Sequence, residues 1–353
     1  MKTNNIFSKL NSKIKQFFKS VKESTELPVN KHRKYFFIVS GAIIFIGLMI
    51  LIIFGFNLGL DFTGGTIITV RMGEELETTS VYDQNLATIE DILTQNGLKL
   101  SSSQKQGEGT DSAIVVKYQD IAGYTDEEMN TLGETVKTQI EEALNAEHSA
   151  GFRIDDTQRI GATSSGELLM YAMLALLATM VLVLIYLAIR FELVSGLVTL
   201  IVLLHDVLIM SALVLVFQIQ INSPFIAAII TIAGYSINNT IIVFDRIREN
   251  RANEKYKDYS HARLADMSVR EMLTRTMYTS FTTIIVILIL AIIGVSAIRE
   301  FALPIIFGLV SGVYSSTCIA PSLWALIMDK REQQKSKKAN AIVVKPIEVK
   351  PAE

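Results

Sequence analysis

The sequence is poor in cysteine and in charge. Cys318 is its only cysteine, and it lies inside an apolar run. One thiol can form neither an intramolecular disulfide nor a cysteine-based zinc site, which excludes a disulfide-stabilised scaffold and a zinc finger. Charged residues make up 19% of the 353 residues, against about 25% in soluble domains, whereas hydrophobic residues make up 50%. This balance indicates a membrane protein.

Sequence motifs of nucleotide-dependent, metal-dependent and serine-nucleophile catalysis are also missing. The chain has no phosphate-binding loop, no H-E-x-x-H and no G-x-S-x-G. The positions of His, Cys, Asp and Glu along the sequence suggest no nucleophile–base pair and no metal-ligand cluster. We therefore expect no enzymatic activity, no cofactor, no metal and no nucleic-acid partner.

What the sequence does contain is a set of six apolar runs, each near the ~20 residues that cross about 30 Å of hydrocarbon as a helix. They are Tyr35–Phe56, Leu168–Ile189, Leu193–Phe217, Pro224–Phe244, Met277–Ile298 and Leu303–Met328. The first run is too long for a signal peptide, and no small-residue cleavage site follows it, so we interpret it as a retained anchor. The sequence predicts a membrane α-helical fold with six transmembrane helices.

Basic residues near the spans predict the orientation, since cytoplasmic loops are enriched in Lys and Arg. Three segments carry them in excess: residues 1–34, residues 245–275 between spans four and five, and the residues after Met328. With six spans, all three lie on one side of the membrane. We expect both termini in the cytoplasm and residues 57–167, where acidic residues prevail, outside it.

The predicted organisation has five parts. They are a basic segment (1–34), the first transmembrane helix (35–56), an extracytoplasmic α/β domain (57–167), the bundle of helices two to six (168–328) and a polar tail (329–353). In the first part, Asn4–Val21 has the pattern of an interfacial amphipathic helix, the alternative being a disordered tail that only sets topology. We predict that the C-terminal tail is disordered.

Residues 57–167 predict a small ferredoxin-like α/β domain with the order β-α-β-α-β. Strands are expected at Thr66–Met72, Ala113–Tyr118 and Phe152–Arg159, and helices at Leu86–Asn96 and Thr125–Ala146. The second helix starts with a capping box, Thr125 with Glu128. The polar segment SSSQKQGEGTDS is expected to be a loop.

Polar side chains at membrane depth mark the candidate functional residues, because they are costly there. Asp206, in span three, lies about 20 Å from the start of its helix. An isolated ionised Asp at that depth costs at least about 2.5–3.5 kcal/mol. A proton relay and a structural Asp bonded to a neighbouring helix are both open for Asp206, and an interhelical hydrogen bond is the simpler interpretation for His205.

Two adjacent asparagines, Asn238 and Asn239, lie near the end of span four. Asn239 is roughly 9 Å from the charged end of that span, and Arg275 begins span five at a similar depth, so we expect the two side chains to meet. The charges after Phe244 are expected to end the span at the membrane surface.

Small and hydroxylated residues in the later spans predict helix packing. Gly308, Gly312 and Ser316 recur four residues apart in span six and predict a close helix contact there. The serines of span six, Ser311 and Ser315, are interpreted in the same way, and Ser236 is a further polar residue inside span four.

Four motifs, in this order, resemble those of the SecD/SecF family, membrane subunits of the bacterial protein-export machinery. They are GFNLGLDFTGGT (55–66), LLHDV (203–207), GYSINNTIIVFDRIREN (234–250) and TRTMYTSFTT (274–283). The first includes Gly59, Asp61, Phe62, Gly64 and Gly65 and is shared by both branches. The third includes Asp245, Arg246, Arg248, Glu249 and Asn250 and, with the small outer domain, favours the SecF branch.

The resemblance covers about Tyr35 to Met328 and implies half of a transporter of the resistance–nodulation–division type, with SecD as the other half. It implies that an ion gradient, usually of protons, drives preprotein release outside the SecYEG channel of the cytoplasmic membrane, after the ATP-driven motor SecA has acted. An exporter of small molecules or lipids and a scaffold without transport remain alternatives.

The resemblance also concerns the ion site. The family carries an Asp in span four and an Arg at the start of span five; the Arg matches Arg275, but Asn239 occupies the Asp position. An amide has no accessible protonation equilibrium. Three options follow: SecD alone couples to the ion, Asp206 has taken over, or Na⁺ binds amide and hydroxyl oxygens. The DFTGG turn is predicted to be mechanical and to fix how the first helix carries the outer domain.

Overall fold

The computed structural model of the chain describes residues 27–72, 79–106, 112–121, 123–145, 153–155, 157–294 and 296–343. The amphipathic segment predicted at Asn4–Val21 lies outside these residues. The first helix, α1 (Val29–Phe54), begins before the apolar run at Tyr35. Its first turn is fixed by Asn30, whose backbone and side-chain N–H groups donate to Asp266 at 3.0 and 2.8 Å.

After α1 the chain forms an α/β domain around one antiparallel sheet. Its elements are α2 (Leu60–Thr63), β1 (Gly65–Arg71), α3 (Thr79–Gln95), β2 (Lys99–Gln106), β3 (Ala113–Gln119), α4 (Asp126–Asn145), β4 (Arg153–Ile154) and β5 (Gln158–Ile160). The strand order is β2-β3-β1-β4, and β5 also pairs with β1. A β-α-β-β-α-β order is the one found in ferredoxin-like folds.

Two predictions for this domain were wrong. The first half of the polar segment expected to be a loop, residues 101–106, belongs to β2, which pairs with β3 and has no buried residue, so it shows no apolar alternation. The strand expected at Phe152–Arg159 is divided into β4 and β5. The capping box is confirmed, because the Thr125 N–H donates to Glu128 at 2.7 Å and the Glu128 N–H donates to the Thr125 hydroxyl at 3.3 Å.

The core of the α/β domain lies between the sheet and its two long helices. Ile68 of β1 and Ile114 of β3 are fully buried against Leu93 of α3 and Ile140 of α4. These apolar residues have period 2 in the strands and a helical period in α3 and α4, so each element presents one apolar face. The domain therefore has its own hydrophobic core.

Six helices of the described residues are long and apolar enough to cross a membrane. Besides α1 they are α5 (Ala162–Arg190), α6 (Leu193–Val216), α7 (Ser223–Ala252), α8 (His261–Ile293) and a last one made of α9 (Ser296–Tyr314), a π-helical turn (Ser315–Ile319) and α10 (Ala320–Val343). The number six is confirmed. The tail predicted to be disordered from residue 329 is instead helical to Val343.

The charged motif after Phe244 does not end its helix, and the expectation that the membrane span ends there stays a prediction. It continues α7 to Ala252 and pairs with neighbouring helices instead. The contacts are Asp245 with Arg190 (2.7 Å) and Arg248 (3.2 Å), Arg246 with Glu249 and Glu271 (both 2.6 Å), and the Asn250 amide with Glu271 (2.8 Å) and Ser268 (3.0 Å). Because each residue has a partner, the helix extends beyond the apolar run.

The structure places the close helix contact of the last span at Gly308. A Cβ there would overlap the Ile232 side chain of α7, whereas a Cβ at Gly312 would make only ordinary contacts. The hydroxyl of Ser316 donates within its own helix, to the Val313 carbonyl at 3.2 Å. Glycine at 308 thus sets the distance between α7 and α9.

We predict that the α/β domain and the α7–α8 loop lie on opposite sides of the membrane. In a Cys318→Ala background, a membrane-impermeant maleimide should label Glu127→Cys, exposed on α4, in intact cells. Lys257→Cys, exposed in the α7–α8 loop, should react only after the membrane is permeabilised. The reverse pattern would contradict the orientation deduced from the basic residues.

Candidate functional site

The bundle encloses one carboxyl group at its centre. Asp206 of α6 is 0% exposed. Its Oδ2 accepts hydrogen bonds from Ser236 of α7 at 2.5 Å and Ser315 of the π-helical turn at 2.7 Å, and its Oδ1 accepts one from Ser311 of α9 at 2.7 Å. Three hydroxyl groups from two neighbouring helices therefore converge on Asp206.

These serines offset the cost of burying the carboxyl group. A hydrogen bond to a charged group contributes about 1.5–3 kcal/mol, which is comparable to the cost of placing an Asp at membrane depth. Ser311 and Ser315 lie four residues apart and so on one helix face, and the π-helical turn begins at Ser315. Single π turns often occur at functional sites. The interpretation of Ser311 and Ser315 as helix-packing residues was thus incomplete, because both also donate to Asp206.

His205 continues the polar contacts toward α1. Its Nδ1 lies 3.0 Å from Asp206 Oδ1, and its Nε2 lies 2.8 Å from the hydroxyl of Ser40. The predicted interhelical hydrogen bond of His205 is therefore present. Ser40 donates onward to the Tyr314 hydroxyl at 3.3 Å, which donates to the Phe36 carbonyl at 2.7 Å.

Asn239 faces α8, but it does not meet Arg275. The residue is 1% exposed, and its amide nitrogen donates to Ser280 at 3.4 Å. Its amide oxygen has no hydrogen-bond partner within the described ranges. Asn238, the other asparagine of the pair, is exposed on the opposite side of α7.

The prediction that Arg275 reaches Asn239 was wrong because of helix rotation. The antiparallel register of α7 and α8 is set by four contacts: Tyr235 with Thr283, Asn239 with Ser280, Arg246 with Glu271, and Asn250 with Ser268. In this register Thr276 and Ser280, each 1% exposed, face the bundle. Arg275 precedes Thr276 by one residue, about 100° around the helix, and is exposed.

The DFTGG segment joins α1 and β1 to the start of α7. The Asp61 carboxylate accepts from the Ser223 N–H at 2.9 Å, at the first residue of α7, and the Gly59 N–H donates to the Ile221 carbonyl at 2.8 Å. Phe62 is buried in an apolar cluster with Phe225 of α7. The segment is thus attached to the helix bundle as well as to α1.

Comparison with known proteins identifies the family. Residues 139–330 match the family described as protein export membrane protein SecD/SecF, C-terminal, and residues 50–74 match the SecD/SecF GG motif. The chain belongs to the SecD/SecF family. It is 33% identical to protein translocase subunit SecF of Helicobacter pylori over 90% of this chain and 94% of that protein. It is 34% identical to the SecF of Sebaldella termitidis over 89% and 96%.

Fused relatives and their structures agree with this assignment. Protein translocase subunit SecDF of Thermus thermophilus is 32% identical over 81% of this chain and 36% of its own. The crystal structure of SecDF from Thermus thermophilus superposes with a TM-score of 0.69 at 28% identity, covering 86% of this chain. This chain spans 39% of that structure. The chain is a SecF-like protein translocase subunit, and the comparisons do not favour a small-molecule or lipid exporter.

We predict that Gly65 of the GG motif cannot be replaced. Its φ is +151°, and a Cβ would overlap the Tyr118 carbonyl of β3. Gly65→Ala should lower the free energy of unfolding of the α/β domain by about 1–3 kcal/mol. The control is Gly166→Ala on exposed α5, where a Cβ meets nothing within 4 Å. Equal thermal melting of both variants in detergent would contradict the mechanical role of this turn.

We also predict that Asn239→Asp destabilises the bundle only when the new carboxyl group is ionised. Within the described residues, Ser280 is the side chain hydrogen-bonded to Asn239, and Arg275 is exposed. A neutral acid resembles the amide, whereas the carboxylate costs at least about 2.5–3.5 kcal/mol. The variant should therefore melt like the parent only below about pH 4, where the unfolded carboxyl group is protonated as well, and clearly below the parent at pH 8. Asn238→Asp, on the exposed face, is the control; pH-independent melting of Asn239→Asp would refute the prediction.

Proposed function

We propose that the chain is the SecF-like half of an ion-driven protein translocase and that Asp206 is its ion-coupling group. The observation that carries this proposal is the set of three serine hydroxyls that donate to the fully buried Asp206. Three donors suit a carboxylate better than a protonated acid, which must itself donate one hydrogen. Proton binding at Asp206 would thus change how α6 packs against α7 and α9.

The chemistry of Asn239 in span four also favours Asp206 as the ion-coupling group. Asn239 carries an amide where the family has a titratable carboxyl group, so it has no proton to exchange. Arg275 is turned away from it, and no ion pair joins Arg275 to any residue of the described ranges. Proton coupling in this chain therefore falls to Asp206, and any further coupling to the partner half.

The fused SecDF relatives support a SecD-like chain as the direct partner. We infer that it covers the exposed face of α8, where Arg275, Tyr278 and Thr282 lie at membrane depth. Polar side chains facing lipid are costly, and a neighbouring helix bundle would shield them. The family resemblance adds the SecYEG channel, SecA as an indirect partner, and an unfolded preprotein as the transported chain.

The working location is the bacterial cytoplasmic membrane, with both termini in the cytoplasm. Six apolar helices support a multi-pass protein. Basic residues are in excess in residues 1–34 and 245–275 and after Met328, segments that six spans put on one side of the membrane, and cytoplasmic loops carry such an excess. The α/β domain then lies outside, where preprotein emerges.

A sodium site at Asn239 is the second candidate. Its amide oxygen is buried without a partner among the described residues, and so is the hydroxyl oxygen of Thr276 one turn from Ser280. Amide and hydroxyl oxygens are ligands that a hard cation prefers. This candidate predicts that gradient-driven export follows Na⁺ rather than pH.

We predict that Asp206→Asn abolishes preprotein export driven by an imposed proton gradient in membrane vesicles that contain the SecD-like partner. The amide keeps the volume of the carboxyl group but cannot bind a proton. ATP-driven export should persist, and Asp258→Asn, exposed in the α7–α8 loop, should behave like the parent.

Each other outcome is informative. Unchanged gradient-driven export in Asp206→Asn would make Asp206 a structural residue and overturn the proposal. If Asn239→Ala instead removes an export that depends on a sodium gradient, the sodium site replaces it.

A further inference from the structure

Among the residues that the structure describes, hydrogen bonds connect Asp206 to one end of the bundle and not to the other. The connection runs from Asp206 through His205 of α6, Ser40 of α1 and Tyr314 of α9 to the Phe36 carbonyl of α1, with donor–acceptor distances of 3.0, 2.8, 3.3 and 2.7 Å. We call this set of side chains the relay chain. Imidazole and hydroxyl groups both donate and accept, so each link can pass a proton on.

The direction of the relay chain follows from the packing of α1 on α6. His205 meets Ser40, and seven residues further along both helices Ala212 meets Gly47, so the two helices run parallel. Phe36 lies one turn before Ser40, toward the starts of both helices. It is also the second residue of the apolar run that begins at Tyr35. The relay chain therefore leads from the middle of the membrane to the boundary opposite the α/β domain.

The other direction from Asp206 is closed by apolar side chains. Met210 and Val214 follow Asp206 on α6, Ile232 precedes Ser236 on α7, and Leu309 precedes Ser311 on α9; their exposures are 0, 0, 0 and 2%. They belong to one buried cluster that reaches Phe62 at the α/β domain. Proton exchange at Asp206 is thus blocked on the domain side in this conformation.

The hydroxyl donors fix the hydrogen on one nitrogen of His205. Tyr314 donates to the Phe36 carbonyl, and Ser40 donates to Tyr314, so the Ser40 oxygen is left to accept from the His205 Nε2–H. A neutral imidazole with its hydrogen on Nε2 accepts at Nδ1 from a protonated Asp206, whereas an imidazolium donates from Nδ1 to the Asp206 carboxylate. The two forms differ by the transfer of one hydrogen between Nδ1 and Oδ1, which is the last step of loading.

We propose that Tyr314, Ser40 and His205 conduct protons between Asp206 and the membrane boundary opposite the α/β domain, which deepens the proposed function and rests on it. For loading, His205 Nδ1–H gives its hydrogen to the Asp206 carboxylate while Nε2 takes one from Ser40. Ser40 takes one from Tyr314, and Tyr314 takes one from a hydronium ion at the boundary, which becomes water. One proton is taken up and one is delivered, so every O–H and N–H bond broken is matched by one formed.

The relay chain gives Tyr314 and Ser40 a role in proton conduction that the burial of Asp206 alone does not predict. Within the described residues, the hydroxyl groups of Tyr314 and Ser40 are hydrogen-bonded neither to the carboxyl group nor to its three serine hydroxyls, and they connect to Asp206 only through His205. Tyr314 also packs edge-on against Phe36 at 6.0 Å between ring centroids. Cys318, one turn beyond Tyr314, is the other titratable group on that helix face. Removal of one hydroxyl should therefore interrupt conduction while leaving the aromatic packing in place.

The test is proton flux through the chain reconstituted with its SecD-like partner and the SecYEG channel in proteoliposomes that contain a pH-sensitive dye. Tyr314→Phe keeps the ring and removes the hydroxyl, and Ser40→Ala breaks the next link. Both should slow flux about tenfold or more, in the range of a lost acid–base group. Ser40→Thr keeps a hydroxyl and should restore flux. Tyr171→Phe, exposed on α5, is the matched control.

The outcomes separate the relay from the proposed function. If Asp206→Asn stops flux but Tyr314→Phe and Ser40→Ala conduct normally, the route is wrong and Asp206 remains the coupling group. If Asp206→Asn itself conducts like the parent, the proposed function fails first. Melting temperatures of all variants are measured in detergent, and a slowed flux in a variant that melts like the parent, recovered by Ser40→Thr, supports the relay.

Discussion

A carboxyl group at the centre of a membrane bundle must be supplied with hydrogen-bond donors, and this requirement organises the helices around Asp206. Its partners come from α6 itself, α7, α9 and the π-helical turn, so these segments must keep a fixed rotation and register. Without the donors, the burial would cost at least about 2.5–3.5 kcal/mol. The close approach of α7 and α9 at Gly308 keeps Ser236 and Ser311 near the same group.

The surroundings of Asp206 differ on its two sides, and that asymmetry is what a coupling device needs. Toward the α/β domain a dry apolar cluster joins α6, α7, α9 and Phe62. Toward the other end, polar side chains lead to the first turns of α1, where Asn30 binds Asp266 of α8. A movement that opens the apolar cluster would also shift Phe62 and thus the α/β domain, since the DFTGG segment contacts both.

Much of the fold could be predicted because long apolar runs and helical periodicity are local properties. The six spans and the capping box at Thr125 were predicted from short stretches of sequence. The failures have a common cause. Strand β2 and the extension of α7 to Ala252 depend on partners distant in sequence, β3 and the ion pairs with Arg190 and Glu271. Local polarity alone predicts a loop or a helix end at such places.

The sequence by itself determined the membrane class, the family and the candidate positions Asp206, Asn239 and Arg275, since polar side chains are unusual at membrane depth. Only the tertiary structure decided their relations. It turned Arg275 away from Asn239, because the α7–α8 register presents Thr276 and Ser280 instead. It also joined Ser40 and Tyr314 to His205. Serine and tyrosine in a helix are compatible with many roles, and which one applies depends on helix rotation and on partners hundreds of residues away.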